Sequence, residues 1–246
     1  MTRARPGERR RRTWRRPLVV LVGLAALAPA AYVASAVVFF PAVLRHGTEA
    51  PESWAMLELR AREAERAQTE WAPRFRWVPL SEFSPHVVQA VLTAEDSPFY
   101  EHGGFDYDEL TRARETGDTR GTSTITQQTV KNLYLSPSRS VPRKLREALL
   151  TWWMELWLPK DRILELYLNI VELGPGIFGF EAASRFYFDR SANAVSPEQA
   201  ALLAATLPAP LLRHPASPSP DLERRQRAIL SRMRQYYQPS DSLLAE

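Results

Sequence analysis

The residues best suited to acid–base chemistry are two adjacent carboxylates, Glu95 and Asp96, in the stretch EDSPFYEHGGFD. Apolar spacing before them predicts a helix that opens at Ser84-Pro85 and ends near Glu95. A helix C-terminus disfavours negative charge, so we expect a raised pKa for Glu95, which suits a general base. A capped or salt-bridged surface pair is the competing interpretation, and His102 is expected to be a structural histidine.

A second polar stretch, GTSTITQQTVKN, spans residues 121–132. Its hydroxyls and amides, including Ser123, Gln127 and Gln128, are followed by the ammonium group of Lys131. Such a set can bind sugar hydroxyls and phosphate. The Gly-Lys-Ser/Thr pattern of nucleotide-binding phosphate loops is missing. The alternative is an exposed Ser/Thr-rich loop that leads into a helix.

A third cluster, RSVPRKLRE, spans residues 139–147. Arg143 and Lys144 precede Glu147 by four and three residues, so the three share one helix face. Together with Arg139 they bring basic groups to a helix N-terminus, where free backbone N–H groups also favour a diphosphate. Taken alone, the cluster fits a solvated ladder of ion pairs as well.

The elements that must position these clusters are helices. Apolar stripes and capping patterns predict further helices that begin at Ser140, after Lys160, near residue 179 and at Ser196, and a final basic helix. The helix after Lys160 is expected to run to the breaker Gly174-Pro175-Gly176. Alternation of period two is nearly absent, so the predicted fold class is mainly α.

Residues 17–40 carry no charged side chain, and a helix of this length reaches about 36 Å, enough to span a bilayer. An arginine-rich segment precedes them, so the positive-inside rule predicts a single-pass membrane protein with a cytoplasmic N-terminus and an exported domain. A signal peptide cleaved at Ala34-Ser35-Ala36 and a nucleic-acid-binding arm are the alternatives. The predicted order is tail 1–16, transmembrane helix 17–40, stalk or loosely packed first helix 41–74, catalytic domain 75–237 and tail 238–246.

Composition excludes several classes of function. Of 32 basic and 28 acidic residues, eight arginines and one glutamate lie within residues 1–16, which leaves 24 and 27 for the remainder. This nearly neutral body offers no basic face for nucleic acid. The chain contains no cysteine, so disulfides and thiolate metal sites are excluded.

In this order, the clusters resemble the peptidoglycan glycosyltransferases, most closely their monofunctional biosynthetic transglycosylases. The stretches RILELYLNIVELG (162–174) and GFEAASRFYF (179–188) match as well, and the similarity covers about residues 75–230. It implies a lysozyme-like helical glycosyltransferase domain, with a small mobile flap between the first two clusters. Thr122 departs from the glycine or alanine that is usual in this family.

The resemblance implies a role for each candidate residue. Glu95 matches the general base, and Glu147 matches the second essential carboxylate. The donor diphosphate is expected to bind Lys131 and Arg139, within the basic cluster that includes Arg143. The remaining matches line the cleft and are Phe99, Ser123, Gln127, Gln128 and Lys144.

The resemblance also implies substrates and partners. The donor is a growing glycan on undecaprenyl diphosphate, and the acceptor is lipid II. The configuration at the anomeric carbon of the donor inverts in the reaction. A divalent ion, Mg²⁺ or Mn²⁺, is expected near Glu147, and no organic cofactor. The membrane and cell-wall synthesis and division proteins are the expected partners, and nucleic acid is not.

Two other functions compete with strand synthesis. A lysozyme-like hydrolase or lytic transglycosylase also uses a glutamate, but it has no diphosphate to bind. A catalytically inactive scaffold is the second, and the presence of both Glu95 and Glu147 argues against it. A transpeptidase domain is not expected, because the short stretch after Pro210 contains no Ser-x-x-Lys pattern.

Overall fold

The computed structural model describes residues 27, 31, 32, 34–118, 121–135, 138 and 140–236. Arg139, the tails 1–16 and 238–246 and most of the predicted span 17–40 lie outside these residues. Within the described part of the chain, no helix is both long enough and apolar enough to cross a membrane.

Helices dominate the described residues. They are α1 (Phe40–Arg45), α2 (Ala55–Ala67), α3 (Pro85–Glu95), α4 (Tyr107–Thr116), α5 (Ile125–Tyr134), α6 (Val141–Trp157), α7 (Lys160–Ile170), α8 (Phe180–Phe188), α9 (Pro197–Thr206) and α10 (Pro220–Tyr236). Two short 3₁₀ helices cover Ser35–Phe39 and Leu80–Glu82. The strands are β1 (Arg74–Phe75), β2 (Glu172–Gly174) and β3 (Ile177–Phe178). The mainly α fold class is confirmed.

Local capping chemistry explains where three of these helices begin. The hydroxyls of Ser84, Ser140 and Ser196 each accept a backbone N–H from the first turn of α3, α6 and α9. At α9, the side chain of Gln199 also accepts the N–H of Ser196, which completes a capping box. These predicted helix starts are confirmed.

The structure differs from the sequence prediction after α7. The helix ends at Ile170 instead of continuing to the Gly-Pro-Gly breaker, and β2 pairs antiparallel with β3. Gly176, with φ of +69°, allows the tight turn between them. β1 joins β3 in parallel, which gives the sheet order β1-β3-β2. Strands of two or three residues are too short to show an alternating pattern in the sequence.

The core of the domain surrounds α7, on which the long apolar residues are almost all fully buried. α5 packs between α7 and α6, and α3, α9 and α10 form a second packed group. Glu95 ends α3 in one group, whereas Gln128 and Lys131 belong to α5 in the other. The fold therefore brings the first two polar clusters together where these groups meet.

The segment 41–74, predicted as a stalk or loosely packed helix, is part of the packed domain. Trp54 is buried and packs edge-on against Phe178, with ring centroids 5.6 Å apart. Arg60 on α2 donates 2.9 Å and 2.8 Å hydrogen bonds to the buried carboxylate of Glu172 on β2. These contacts correct the expectation of a separate stalk, because α2 and β2 share one buried ion pair.

The short helices before residue 46 lie against α6. Phe40 contacts Trp153 and Trp157 of α6 edge-on, with ring centroids 5.1 Å and 5.9 Å apart. Ala36 and Val43 are fully buried in the domain core. The described end of the predicted span is therefore packed on the catalytic domain.

Candidate active site

Glu95 lies where α3, α5 and α10 meet, and its side chain is 12% exposed. Gln128 donates a 2.9 Å hydrogen bond from Nε2 to Oε2 of Glu95, and Arg225 on α10 places Nη2 3.6 Å from Oε1. Oε1 is buried and accepts no hydrogen bond from any described residue. One carboxylate oxygen is therefore fixed, and the other has lone pairs available for a proton.

Burial raises the pKa of Glu95, and the adjacent charge of Asp96 raises it further. The hydrogen bond from Gln128 and the charges of Arg225 and Lys131 lower this pKa, but by less than burial raises it. The predicted raised pKa is confirmed, with a different main cause. Desolvation of the carboxylate dominates, which the position of Glu95 at a helix end does not reveal.

Tyr167 fixes the orientation of the Gln128 amide. Its hydroxyl lies within the core and donates a 3.1 Å hydrogen bond to Oε1 of Gln128. Burial raises the pKa of Tyr167 well above its usual value, so the hydroxyl remains a donor. Because Oε1 of Gln128 accepts from Tyr167, its NH₂ group must face Glu95 and the carbonyl oxygen of Ser123, 3.3 Å away.

Asp96 joins the loop after α3 to the beginning of α5. Its Oδ2 accepts the N–H of Ile125 at 2.9 Å, and its Oδ1 accepts from Nε2 of His102 at 2.8 Å. Nδ1 of His102 accepts the N–H of Gly104 at 3.1 Å, so the ring proton lies on Nε2. His102 is a structural histidine, as predicted, and Asp96 is a structural carboxylate beside Glu95.

Glu147 lies on the inward face of α6 and is buried beneath two basic side chains. Arg143 donates to its Oε2 and Lys144 to its Oε1, so the predicted pairs are confirmed. The burial of Glu147 distinguishes them from a solvated ladder. Burial lowers the pKa of Lys131, while Glu147 and Glu95 both raise it. Lys131 is therefore within electrostatic range of both carboxylates.

Two predicted cleft residues have other positions. Phe99 is fully buried, with Nζ of Lys160 4.4 Å from its ring centre, so the prediction that it lines the cleft is wrong. Oε1 of Gln127 accepts the N–H of Thr124 at 3.1 Å in a capping box, which uses this oxygen to hold α5. The carbonyl oxygen of Ser123 accepts from Nε2 of Gln128 at 3.3 Å, and the predicted place of Ser123 in the cleft stays a prediction.

Sequence reasoning missed Arg225 and Tyr167. Tyr167 lies inside the stretch 162–174, where its helical spacing looks like that of any core residue. Arg225 had a detectable signal, because it falls on the apolar stripe of the final helix between Leu222 and Ile229, where an arginine is unusual.

The residues near Glu147 do not by themselves fit a metal ion. Both of its oxygens accept hydrogen bonds from cationic side chains, whereas Mg²⁺ needs several oxygen ligands. Among the residues that the structure describes, no group of three or more histidine, aspartate or glutamate side chains is arranged to hold a metal. The expected divalent ion stays a prediction.

Comparison with known proteins identifies the family. The sequence profile of the family described as Transglycosylase matches residues 63–234. The chain belongs to the transglycosylase family. The match covers α3, α5, α6 and α10, so all four elements of the site are family elements. The protein is a glycosyltransferase.

Individual relatives agree with this assignment. The chain is 50% identical over 161 residues to the biosynthetic peptidoglycan transglycosylase of Bdellovibrio bacteriovorus, an alignment that spans 64% of each chain. It is 43% identical over 188 residues to the protein of that name in Nitrosospira multiformis, covering 74% of this chain and 82% of the relative. The protein of the same name in Nitrosomonas eutropha is 37% identical over 227 residues, 90% of each chain.

Proposed function

We propose that this transglycosylase polymerises the glycan strands of peptidoglycan. It would transfer a growing glycan from undecaprenyl diphosphate to the GlcNAc 4-hydroxyl of lipid II. The observation that carries the proposal is the buried Glu95 carboxylate, which has one oxygen held by Gln128 and one without a hydrogen bond from any described residue. Lys131 on α5 acts on its charge and is in turn within range of the basic side chains of α6. The names of the relatives favour the same reaction.

The chemical step is a single inverting displacement. The 4-hydroxyl oxygen of the acceptor attacks the anomeric carbon of the donor, and the bond from that carbon to the diphosphate oxygen breaks. The Glu95 carboxylate takes the hydroxyl proton, and the diphosphate leaves with the bonding electrons. A raised pKa suits Glu95 to this proton transfer near neutral pH.

The basic side chains stabilise the leaving group. Lys131, Arg143 and Lys144 are the described cations, and Arg139 is expected to join them. Glu147 holds Arg143 and Lys144 through its two oxygens, which orients both cations without removing their spare N–H groups. Negative charge that grows on the diphosphate would therefore meet preorganised donors. A hydrolase of glycan strands has no such charge to stabilise.

The outer face of α6 supports a location at a membrane surface. Val141, Leu145, Trp152 and Leu156 are all more than half exposed, and their spacing places them on the side of the helix opposite Glu147. α1 packs beside this helix through Phe40. A contiguous apolar face next to the predicted span suits contact with the lipid headgroup region. We propose an inner-membrane protein whose catalytic domain lies on the periplasmic face.

Purified full-length protein incubated with lipid II tests the reaction. Wild type should form polymeric glycan, and Glu95→Gln and Glu147→Gln should each lower the rate by at least about 100-fold. Glu101→Gln is the matched control, because Glu101 is exposed in the same loop, and it should leave the rate unchanged. Breakdown of preformed glycan with no polymer from lipid II would identify a lytic enzyme instead.

The membrane contact has its own test. Full-length protein in vesicles of brominated phosphatidylcholine should show quenched tryptophan fluorescence, and Trp152→Phe should remove much of the quenching. Trp54→Phe is the control, because Trp54 is buried in the domain, and it should leave the quenched fraction unchanged. Equal quenching in wild type and Trp152→Phe argues against membrane contact by α6.

A further inference from the structure

We infer that Arg225 is a positioning residue that keeps Glu95 in its charged form through an ion pair with Oε1. The inference rests on the proposed role of Glu95 as the general base. Arg225 lies on α10, far from the basic cluster of α5 and α6 in the sequence. It contacts Oε1 of Glu95, whereas Gln128 donates to Oε2.

The pattern of α10 directs Arg225 inward. Leu222, Ile229 and Met233 are buried, and Arg225 falls three residues after the first and four before the second, on the same helix face. Its side chain is 36% exposed, whereas that of Arg224 is 70% exposed. A charged side chain on the packed face of a helix needs a partner of opposite charge, and Glu95 is the carboxylate that it reaches.

Hydrogen bonds from neighbouring elements fix the position of α10. Gln89 on α3 donates a 2.9 Å hydrogen bond to the carbonyl oxygen of Met233. Gln226 donates a 2.8 Å hydrogen bond to the carbonyl oxygen of Glu198 on α9. Arg213, in the loop before α10, donates to the carbonyl oxygen of Ala205 on α9 at 3.0 Å and to Oδ2 of Asp221 on α10 at 3.3 Å. α10 is thus tied to α3 and α9, so the guanidinium of Arg225 approaches Glu95 from a rigid support.

The distance between Arg225 and Glu95 makes their contact mainly electrostatic. At 3.6 Å the Nη2–Oε1 contact is an ion pair and too long for a strong hydrogen bond. Nε of Arg225 is buried and has no hydrogen-bond partner among the described residues. The guanidinium therefore stabilises the carboxylate through its charge.

Several other charged groups surround Glu95 and Arg225. Arg225 and Lys131 lower the pKa of Glu95, and Asp96 raises it. Burial lowers the pKa of Arg225, Arg213 and Arg232 lower it further, and Glu95 and Asp221 raise it. A guanidinium nevertheless stays charged at any physiological pH. Removal of Arg225 should therefore shift the acid limb of the pH–rate profile upward, because more Glu95 is protonated at a given pH. A partly exposed contact suggests a shift of about one pH unit.

Three variants of the full-length protein test the inference in the lipid II assay. Arg225→Gln should move the acid limb upward by about one pH unit, which lowers the rate by up to about 10-fold at pH values well below the midpoint of that limb. Arg225→Lys keeps the charge and should retain the wild-type limb. Arg224→Gln is the matched control, because it removes the same charge from the exposed side of α10, and its profile should equal that of wild type.

A second readout does not need activity. Protein labelled with ¹³C at glutamate carboxyls should show one resonance that Glu95→Gln removes, and its titration midpoint should rise in Arg225→Gln. If wild type makes no polymer but this midpoint rises, the proposed function fails and the charge coupling stands. An unchanged midpoint and acid limb in Arg225→Gln, with only a higher KM, would show that Arg225 binds substrate, and would overturn the inference.

Discussion

The carboxylate of Asp96, next to Glu95, links the loop after α3 to the beginning of α5, and we call this link the Asp96 latch. Asp96→Asn tests its contribution to the structure. Both partners of the Asp96 carboxylate are donors, since Ile125 offers a backbone N–H and His102 offers Nε2–H. An asparagine has one acceptor oxygen, so its NH₂ group must face one of these donors. If the His102 ring changes tautomer to accept from that NH₂ group, Nδ1 can no longer accept the N–H of Gly104. At least one buried hydrogen bond is therefore lost in either arrangement.

The magnitude follows from the type of bond. Loss of one hydrogen bond costs about 1 kcal/mol, and loss of a bond to a charged group with a buried donor left unpaired costs about 2–3 kcal/mol. We expect the free energy of unfolding to fall by about 2–3 kcal/mol. The polymerisation rate should fall about 10-fold or more, because the latch holds Gln128 on α5 in register with Glu95 on α3.

Urea denaturation of the full-length protein in detergent, followed by the fluorescence of its seven tryptophans, measures the change. Asp106→Asn is the control, because Asp106 caps α4 by accepting the N–H of Glu109 and asparagine is an equally good N-cap. It should change stability by less than about 0.5 kcal/mol. A loss below that value in Asp96→Asn as well would refute the latch.

Three further predictions use the same denaturation assay. Burial raises the pKa of Glu95 above its ordinary value of 4.5. The protein therefore loses stability as the pH rises above 4.5, because the buried carboxyl must become charged. Glu95→Gln should stabilise the protein by about 1 kcal/mol at pH 7, with no gain at pH 4. A Cβ at Gly179, where φ is +78°, would lie 2.5 Å from a backbone oxygen. Gly179→Ala should therefore lower the free energy of unfolding by at least about 2 kcal/mol. Gly103→Ala is the control and should change it little, because no atom lies within 4 Å of a Cβ at that position. Burial lowers the pKa of His46 from 6.5 to about 4, and its neutral ring shares a hydrogen bond with the hydroxyl of Tyr134. The free energy of unfolding should therefore fall as the pH drops from 6.5 to 4, and it should fall less in His46→Asn.

Several helix starts and the family can be recognised from the amino-acid sequence alone. Ser84, Ser140 and Ser196 begin helices because a capping hydroxyl bonds an N–H two or three residues away, and this chemistry is local. The spacing of Arg143, Lys144 and Glu147 also predicts their pairing, because helix geometry alone brings such residues together. Interactions of this kind can be derived without knowledge of the tertiary structure.

The environment of each side chain depends on how the helices pack in the tertiary structure. Phe99 and Gln127 have residue types that suit a sugar-binding cleft, yet one is buried in the core and the other caps a helix. The pKa of Glu95 rises mainly because α3, α5 and α10 together remove water from it, and Arg225 reaches it only because α10 packs on α3. Burial and charge pairing depend on elements that are distant in the chain, so only the packed fold specifies them.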